Sequence, residues 1–193
     1  MMISDDARTF DLTGLRVPKK TGGPGGQGSQ KLGGDPFRSL LVCPFTIIID
    51  TREQLPYTFD GMECVVPTIT KGLTSGDYSV AGMTDAVAVE RKSLEDLYGS
   101  VTWGRERFER EIERLNSFKS AFVVIEATWP EIMDPASHRP GWENRTDPQS
   151  VEGTITAWSI RYNRVHWWAC GGRRDAELRT FSILKKFWEE QQK

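Results

Sequence analysis

The chain has 193 residues, of which 38% are hydrophobic and 27% charged, with a formal net charge of −2. That is enough apolar chain for one packed domain with a tail and too little for two full-sized domains. The charge balance excludes a generally basic nucleic-acid coat, so any polyanion contact must come from local patches.

Residues 1–43 are expected to form a flexible arm, because the glycine-rich stretch from Lys19 to Asp35 has almost nothing to bury. The arm is mildly basic through Arg8, Arg16, Lys19, Lys20, Lys31 and Arg38, so it either brushes a phosphate backbone or is a plain tail. Folded structure is expected over 44–193. Phe45 to Ile49 reads as a buried strand ending at Asp50, and Cys64 to Ile69 as a weaker one that Pro67 confines to a sheet edge. Tyr78 to Val80 and Ala86 to Glu90 read as a hairpin around Gly82 and Asp85.

Ser93 opens a helix on which Leu94, Leu97, Tyr98 and Val101 share a face, and after Gly104 a second helix carries Phe108, Ile112 and Leu115. Ala121 to Glu126 is a further buried strand, and Thr128 to Arg145 a long loop. Asp147-Pro148 starts a helix striped by Val151, Ile155, Trp158 and Tyr162. Val165 to Ala169 is a last strand, and Leu178, Phe181, Leu184 and Trp188 mark the final helix. These elements predict an α/β sandwich around one central mixed sheet.

No apolar run approaches the roughly 20 residues of a membrane helix, and the N-terminus has no signal-peptide core. Cys43, Cys64 and Cys170 are widely scattered without metal-ligand spacing, which predicts free thiols. A non-secreted protein without membrane contact follows, cytoplasmic in a bacterium or virus and nuclear in a eukaryote.

Three acids are expected to converge at strand ends: Asp50, Asp77 and Glu90. Glu90 and Lys92 lie two apart, so on an extended backbone they share a face. Two carboxylates suit a hard divalent cation, and a neighbouring ammonium screens phosphate charge, which is the chemistry of metal-assisted phosphodiester hydrolysis. Each residue has a plainer reading beside this one. Asp96 completes an [ST]-x-x-[DE] capping box from Ser93, Asp50 to Glu53 can be a turn with a surface ion pair, and Arg91 fits a phosphate contact or a salt bridge. The charged run from Arg105 to Lys119 reads as a solvated helix face, with Arg105 the member singled out for phosphate. From Arg161 to Lys193, eight basic residues face four acidic ones. Arg161, Arg164, Arg173 and Arg174 are candidates for a DNA track. Trp103, Trp142, Trp167 and Trp168 are candidates for base stacking, the last two also for a core or subunit interface. His138 and His166 lack ligand spacing.

Asp50-Thr51-Arg52-Glu53, Gly76-Asp77, Glu90-Arg91-Lys92, Asp96-Leu97 and Gly104-Arg105 together resemble the nuclease domain of the XPF family of structure-specific endonucleases, whose hallmark is GDx(n)ERKx3D. The resemblance runs from about Phe45 to near the C-terminus. It implies a restriction-endonuclease-like three-layer sandwich, Mg²⁺ or Mn²⁺ dependence, and incision of branched DNA at single/double-strand junctions in repair or recombination. It carries over Asp50, Glu53, Asp77 and Glu90 as the metal cluster, Arg91 and Lys92 as its basic partners, and Asp96 as a supporting acid. Arg52, Arg91, Arg105, Arg161 and Arg164 are the expected DNA contacts, and a homodimer is expected. The reading is of a stand-alone form without the helix-hairpin-helix domain that usually follows. The alternative is a non-catalytic or weakly catalytic DNA-binding or assembly subunit, with action on RNA as a third reading.

Overall fold

Three consecutive isoleucines, Ile47–Ile49, form β1 and are all buried in a computed structural model that describes residues 41–143 and 145–193. The expected arm over 1–43 lies outside the described residues except for its last three. Along the chain follow β2 (Thr68–Thr70), β3 (Tyr78–Val80), β4 (Val87–Lys92), α1 (Leu94–Val101), α2 (Arg105–Leu115) and β5 (Ser120–Ile125). Then come α3 (Trp129–Met133), α4 (Pro135–His138), α5 (Pro148–Arg161), β6 (Val165–Ala169) and α6 (Arg173–Gln191).

The strands make one six-stranded mixed sheet in the order β2-β1-β3-β4-β5-β6. β3 runs antiparallel to both β1 and β4, while β1–β2, β4–β5 and β5–β6 are parallel pairs. As Pro67 implied, β2 is an edge strand, and the proline serves it as an acceptor, taking the Ile47 N–H at 2.9 Å.

The two-residue period of the strands divides the core into two layers. Ala88, Ala121, Val123, Ile125 and Val165 face α1, α2, α3 and α5, around the fully buried Trp158. Val87, Val89 and Val124 face the other way, onto Phe181, Ile183 and Leu184 of α6. Helices on both faces of a mixed sheet make the expected three-layer sandwich. Deleting a fully enclosed side chain such as Trp158 costs about 3–5 kcal/mol.

The structure corrects three expectations. Cys43 and Cys64 are not free thiols but a disulfide, with Cα atoms 5.4 Å apart, because the parallel Val42–Val65 bridge sets the two segments side by side. Cys170 alone is free, and it is buried. The stretch from Thr128 is not one long loop. Thr128 caps α3 in a capping box, Asp134 caps α4, and each helix has a proline in its first turn. On α6 the buried stripe is Ala176, Glu177, Thr180, Phe181, Ile183 and Leu184, whereas Leu178 is exposed and Trp188 only partly buried. Glu177 was hidden from an apolar-periodicity argument because it is polar, yet it is buried accepting the Phe59 N–H at 2.5 Å.

Candidate active site

The antiparallel course of β3 explains why one acid precedes a strand and two others close strands. The start of β3 lies beside the ends of β1 and β4: Asp50 N–H donates to Asp77 O at 2.8 Å, and Asp77 N–H donates to Val89 O at 2.8 Å. Gly76 makes this approach feasible. Its φ is +79°, and a Cβ there would stand 3.1 Å from Ala88 Cβ and 3.2 Å from Val89 O.

Asp77 and Glu90 stand close enough for the charge of Glu90 to raise Asp77. The Asp77 carboxyl is half-buried. Burial first, and then the charge of Glu90, push it up to about 8, although the Arg91 N–H donates to its Oδ2 at 2.7 Å. Burial raises the Glu90 carboxyl too, opposed by Lys92, while Glu111 and Glu53 add repulsion. Lys92 Nζ is 3.0 Å from Glu90 Oε1 and 4.3 Å above the Phe108 ring, so the two alternate positions do share a face.

Asp50 and Glu53 are instead each held by an arginine. Burial would raise the Asp50 carboxyl, but donors from Arg52 (Nε 2.7 Å, backbone N 2.8 Å) and the Leu73 N–H (2.5 Å) outweigh it and hold it below the usual range. Glu53 likewise stays low against its burial, gripped by Arg91 Nε at 2.9 Å and Nη2 at 3.1 Å and capped by the Leu55 N–H. Arg91 also meets Glu126 at 3.3 Å, and its side chain is largely enclosed in this network. Arginines thus hold Asp50 and Glu53 but neither Asp77 nor Glu90, and among the described residues no three His, Cys, Asp or Glu side chains are gathered around a single ion position.

Residues 49–177 match the ERCC4 domain family model. The chain belongs to that family. No curated protein matches it in sequence. Its fold resembles that of XPF from Aeropyrum pernix, with a TM-score of 0.54 at 20% identity over 72% of this chain and 60% of that one. It also resembles the same organism's XPF in complex with DNA, with a TM-score of 0.55 at 19% identity over 76% of this chain and 66% of that one. The ERCC4 chain thus spans less than two thirds of either solved chain.

In this ERCC4 domain Asp96 sits in the cap of α1. Its N–H donates to Ser93 Oγ at 3.0 Å, and Ser93 Oγ donates back to its carboxylate at 2.7 Å. Most of the arginines expected on DNA have protein partners of their own. Arg52 is turned onto Asp50 and Leu73 O, and Arg105 donates to Thr154 Oγ1 at 2.8 Å with its guanidinium 5.0 Å over Trp158. Arg161 pairs with Glu109, Arg173 with Glu126, and Arg174 with Glu177. Arg164 has an exposed side chain.

Two residues beside the site escaped the sequence reading. Glu126 closes β5 and joins Arg91, Arg173 and the Tyr57 hydroxyl, which donates to it at 3.0 Å. An acid ending an apolar run was the available signal, the same one that singled out Asp50 and Glu90. Glu111 accepts the Gly76 N–H at 3.3 Å and repels Glu90 from α2. Nothing in the alternating charges of that helix distinguishes it.

Proposed function

We propose that the chain is a divalent-metal-dependent DNA endonuclease in which Asp77 and Glu90 hold Mg²⁺ or Mn²⁺. The observation carrying this is the Asp77–Glu90 pair: two half-buried carboxylates, one just before β3 and one on the adjoining β4, each pushed toward its protonated form, with Lys92 paired to Glu90. Such a pair suits a hard cation, and Mg²⁺ commonly takes only one or two protein carboxylates with the rest of its shell from water and substrate phosphate. Bound there, the cation supplies Lewis-acid polarisation of the phosphoryl group and a more acidic water.

The protein's own groups do the remaining work. Lys92, pinned over Phe108, offers positive charge to the phosphoryl oxygens. Arg91, Asp50 and Glu53 hold the strand ends in register and stay charged at neutral pH, and Asp96 keeps the start of α1 beside Lys92. The ERCC4 family membership supports a DNA substrate, and the likeness to a DNA complex of an XPF agrees with it. Branched DNA, repair or recombination, and a homodimer belong to the same proposal. A second copy would find a groove of about 1060 Å³ at α6, lined by Phe122, Leu178 and Phe187.

The test is cleavage of flap, fork, four-way-junction and linear DNA, with matched RNA, in Mg²⁺ or Mn²⁺. Wild type should cut DNA. Asp77→Ala and Glu90→Ala should lose ~100-fold or more of the rate while still binding. Equal cutting by the variants sinks the site assignment, and binding without cutting by wild type favours the assembly-subunit reading.

A further inference from the structure

Alongside α1 and the turn that follows it lies a concavity of about 400 Å³ that the proposed chemistry does not use. Its walls are Glu95, Gly99, Trp103, Arg139, Trp142 and Glu143. That volume is at the small end of ligand-sized pockets.

Trp103 is 85% exposed, more than any other large hydrophobic side chain among the described residues. It is nevertheless seated. A Cβ on Gly99 would come within 2.9 Å of Trp103 Cζ2, so the ring rests against the bare backbone of α1. The turn that carries it is closed by the Gly104 N–H donating to Gly99 O at 2.9 Å, and a Cβ on Gly104 would stand 3.0 Å from that oxygen. Two glycines thus let an indole lie on the helix with the rest of its surface open to water. A ring held in this way costs hydrophobic exposure and gains no internal packing beyond that seat.

The opposite wall is equally fixed. The Trp142 ring packs edge-on against Tyr98 at 5.0 Å, and the Tyr98 hydroxyl donates to Ile132 O at 2.6 Å. Arg139 donates through Nη2 to Glu126 O at 3.3 Å and lies 3.9 Å from Glu131, while its Nε is buried with no hydrogen-bond partner. The side chain as a whole is still 42% exposed, so the rest of its guanidinium can donate to acceptors on a ligand's edge. Glu95 and Glu143 make the mouth unfavourable for a phosphate but can accept from exocyclic amino groups. A flat, aromatic ligand with polar edges matches this lining, and a bare anion does not.

We infer that this concavity is a subsite for one unpaired nucleotide base, stacked on Trp103 and contacted at its edge by Arg139. The inference rests on the DNA-nuclease reading and adds to it a means of sensing single-stranded DNA. The eight residues of α1 span roughly 12 Å at 1.5 Å per residue. At ~3.4 Å per stacked nucleotide of one strand, the base in the subsite lies about three or four nucleotides from the phosphate cut.

The experiment measures equilibrium binding and cleavage of a forked DNA whose single-stranded arm carries one abasic position, moved along the arm, against a blunt duplex. Wild type should lose affinity about 5- to 100-fold at one arm position, three or four nucleotides from the incision. Trp103→Ala should show the same loss on the intact fork, no further loss with the abasic arm, and unchanged binding of blunt duplex. Trp103→Phe should restore most of it. If Trp103→Ala binds every DNA as wild type does, or weakens fork and duplex alike, the subsite is refuted while wild-type cutting keeps the nuclease reading. If wild type neither binds nor cuts any of these DNAs, both fall.

Discussion

Replacing Asp77 with Asn should make the cation-free protein more stable while abolishing its proposed activity. Asp77 faces Glu90 and Glu53 on the acidic side, with Lys92 and the Arg91 N–H opposing them, and its carboxyl is pushed from 3.8 to about 8. An acid raised on folding binds more protons in the native state than in the unfolded one. Its stabilising protonation is therefore fully present below 3.8 and lost as pH rises toward 8, at up to about 1.4 kcal/mol per pH unit. Over that window the upper bound is about 6 kcal/mol. Sharing of the proton with Glu90 and contact with solvent reduce it to on the order of 2–3 kcal/mol. Losing the charged acceptor for the Arg91 N–H returns roughly 1 kcal/mol. The net gain for Asp77→Asn at pH 8 is about 2 kcal/mol, or a Tm rise of about 4–8 °C for a domain of this size. Asp50 and Glu53 have the opposite sign, since both are lowered, and their contribution is lost as pH falls below about 4. They cancel in the wild-type-minus-variant difference. Calorimetry with a chelator at pH 5 and pH 8 should show the variant's advantage growing with pH, and added Mn²⁺ should stabilise wild type alone. A gap that does not change with pH, or a variant less stable than wild type at pH 8, would refute the electrostatic argument.

Three further changes test other parts of the structure. Arg91→Ala leaves Glu53, whose side chain is 4% exposed, and Glu126 without their shared partner, so urea denaturation should show a loss of about 3–5 kcal/mol; less than 1 kcal/mol would mean that water replaces the arginine. Cys43→Ser removes a cross-link across 21 positions and should cost about 3 kcal/mol, with reduction of wild type giving the same fall in Tm and no added effect in the variant. Arg105→Ala should lower stability by about 1–2 kcal/mol through loss of Thr154 and Trp158. Its DNA affinity should keep the wild-type dependence on salt, whereas a slope reduced by about one unit would make Arg105 a phosphate contact.

Strand positions were legible because buried strands write themselves as short β-branched runs, as at Ile47–Ile49 and in β5, and the caps at Ser93 and Asp147 are local hydrogen-bond chemistry. The face shared by Glu90 and Lys92 followed from strand geometry alone. Pairings between distant segments were not legible. The disulfide depends on the Val42–Val65 bridge, a long-range register that cysteine spacing does not encode. The division of the acids into an arginine-held set and a mutually facing pair depends on where Arg52 and Arg91 turn, and either side chain can reach phosphate or carboxylate equally well. Arg105 looked exposed at the head of a charged helix, but the position of α5 drew it onto Thr154.

Whether Asp77 and Glu90 share a catalytic cation is decided by locating Mn²⁺ through anomalous scattering in crystals of the full chain. A peak is expected within bonding distance of both carboxylates and absent in crystals of Asp77→Asn. A peak at another group of acids, or none at the pair under Mn²⁺ concentrations that support DNA cleavage, would contradict a shared cation.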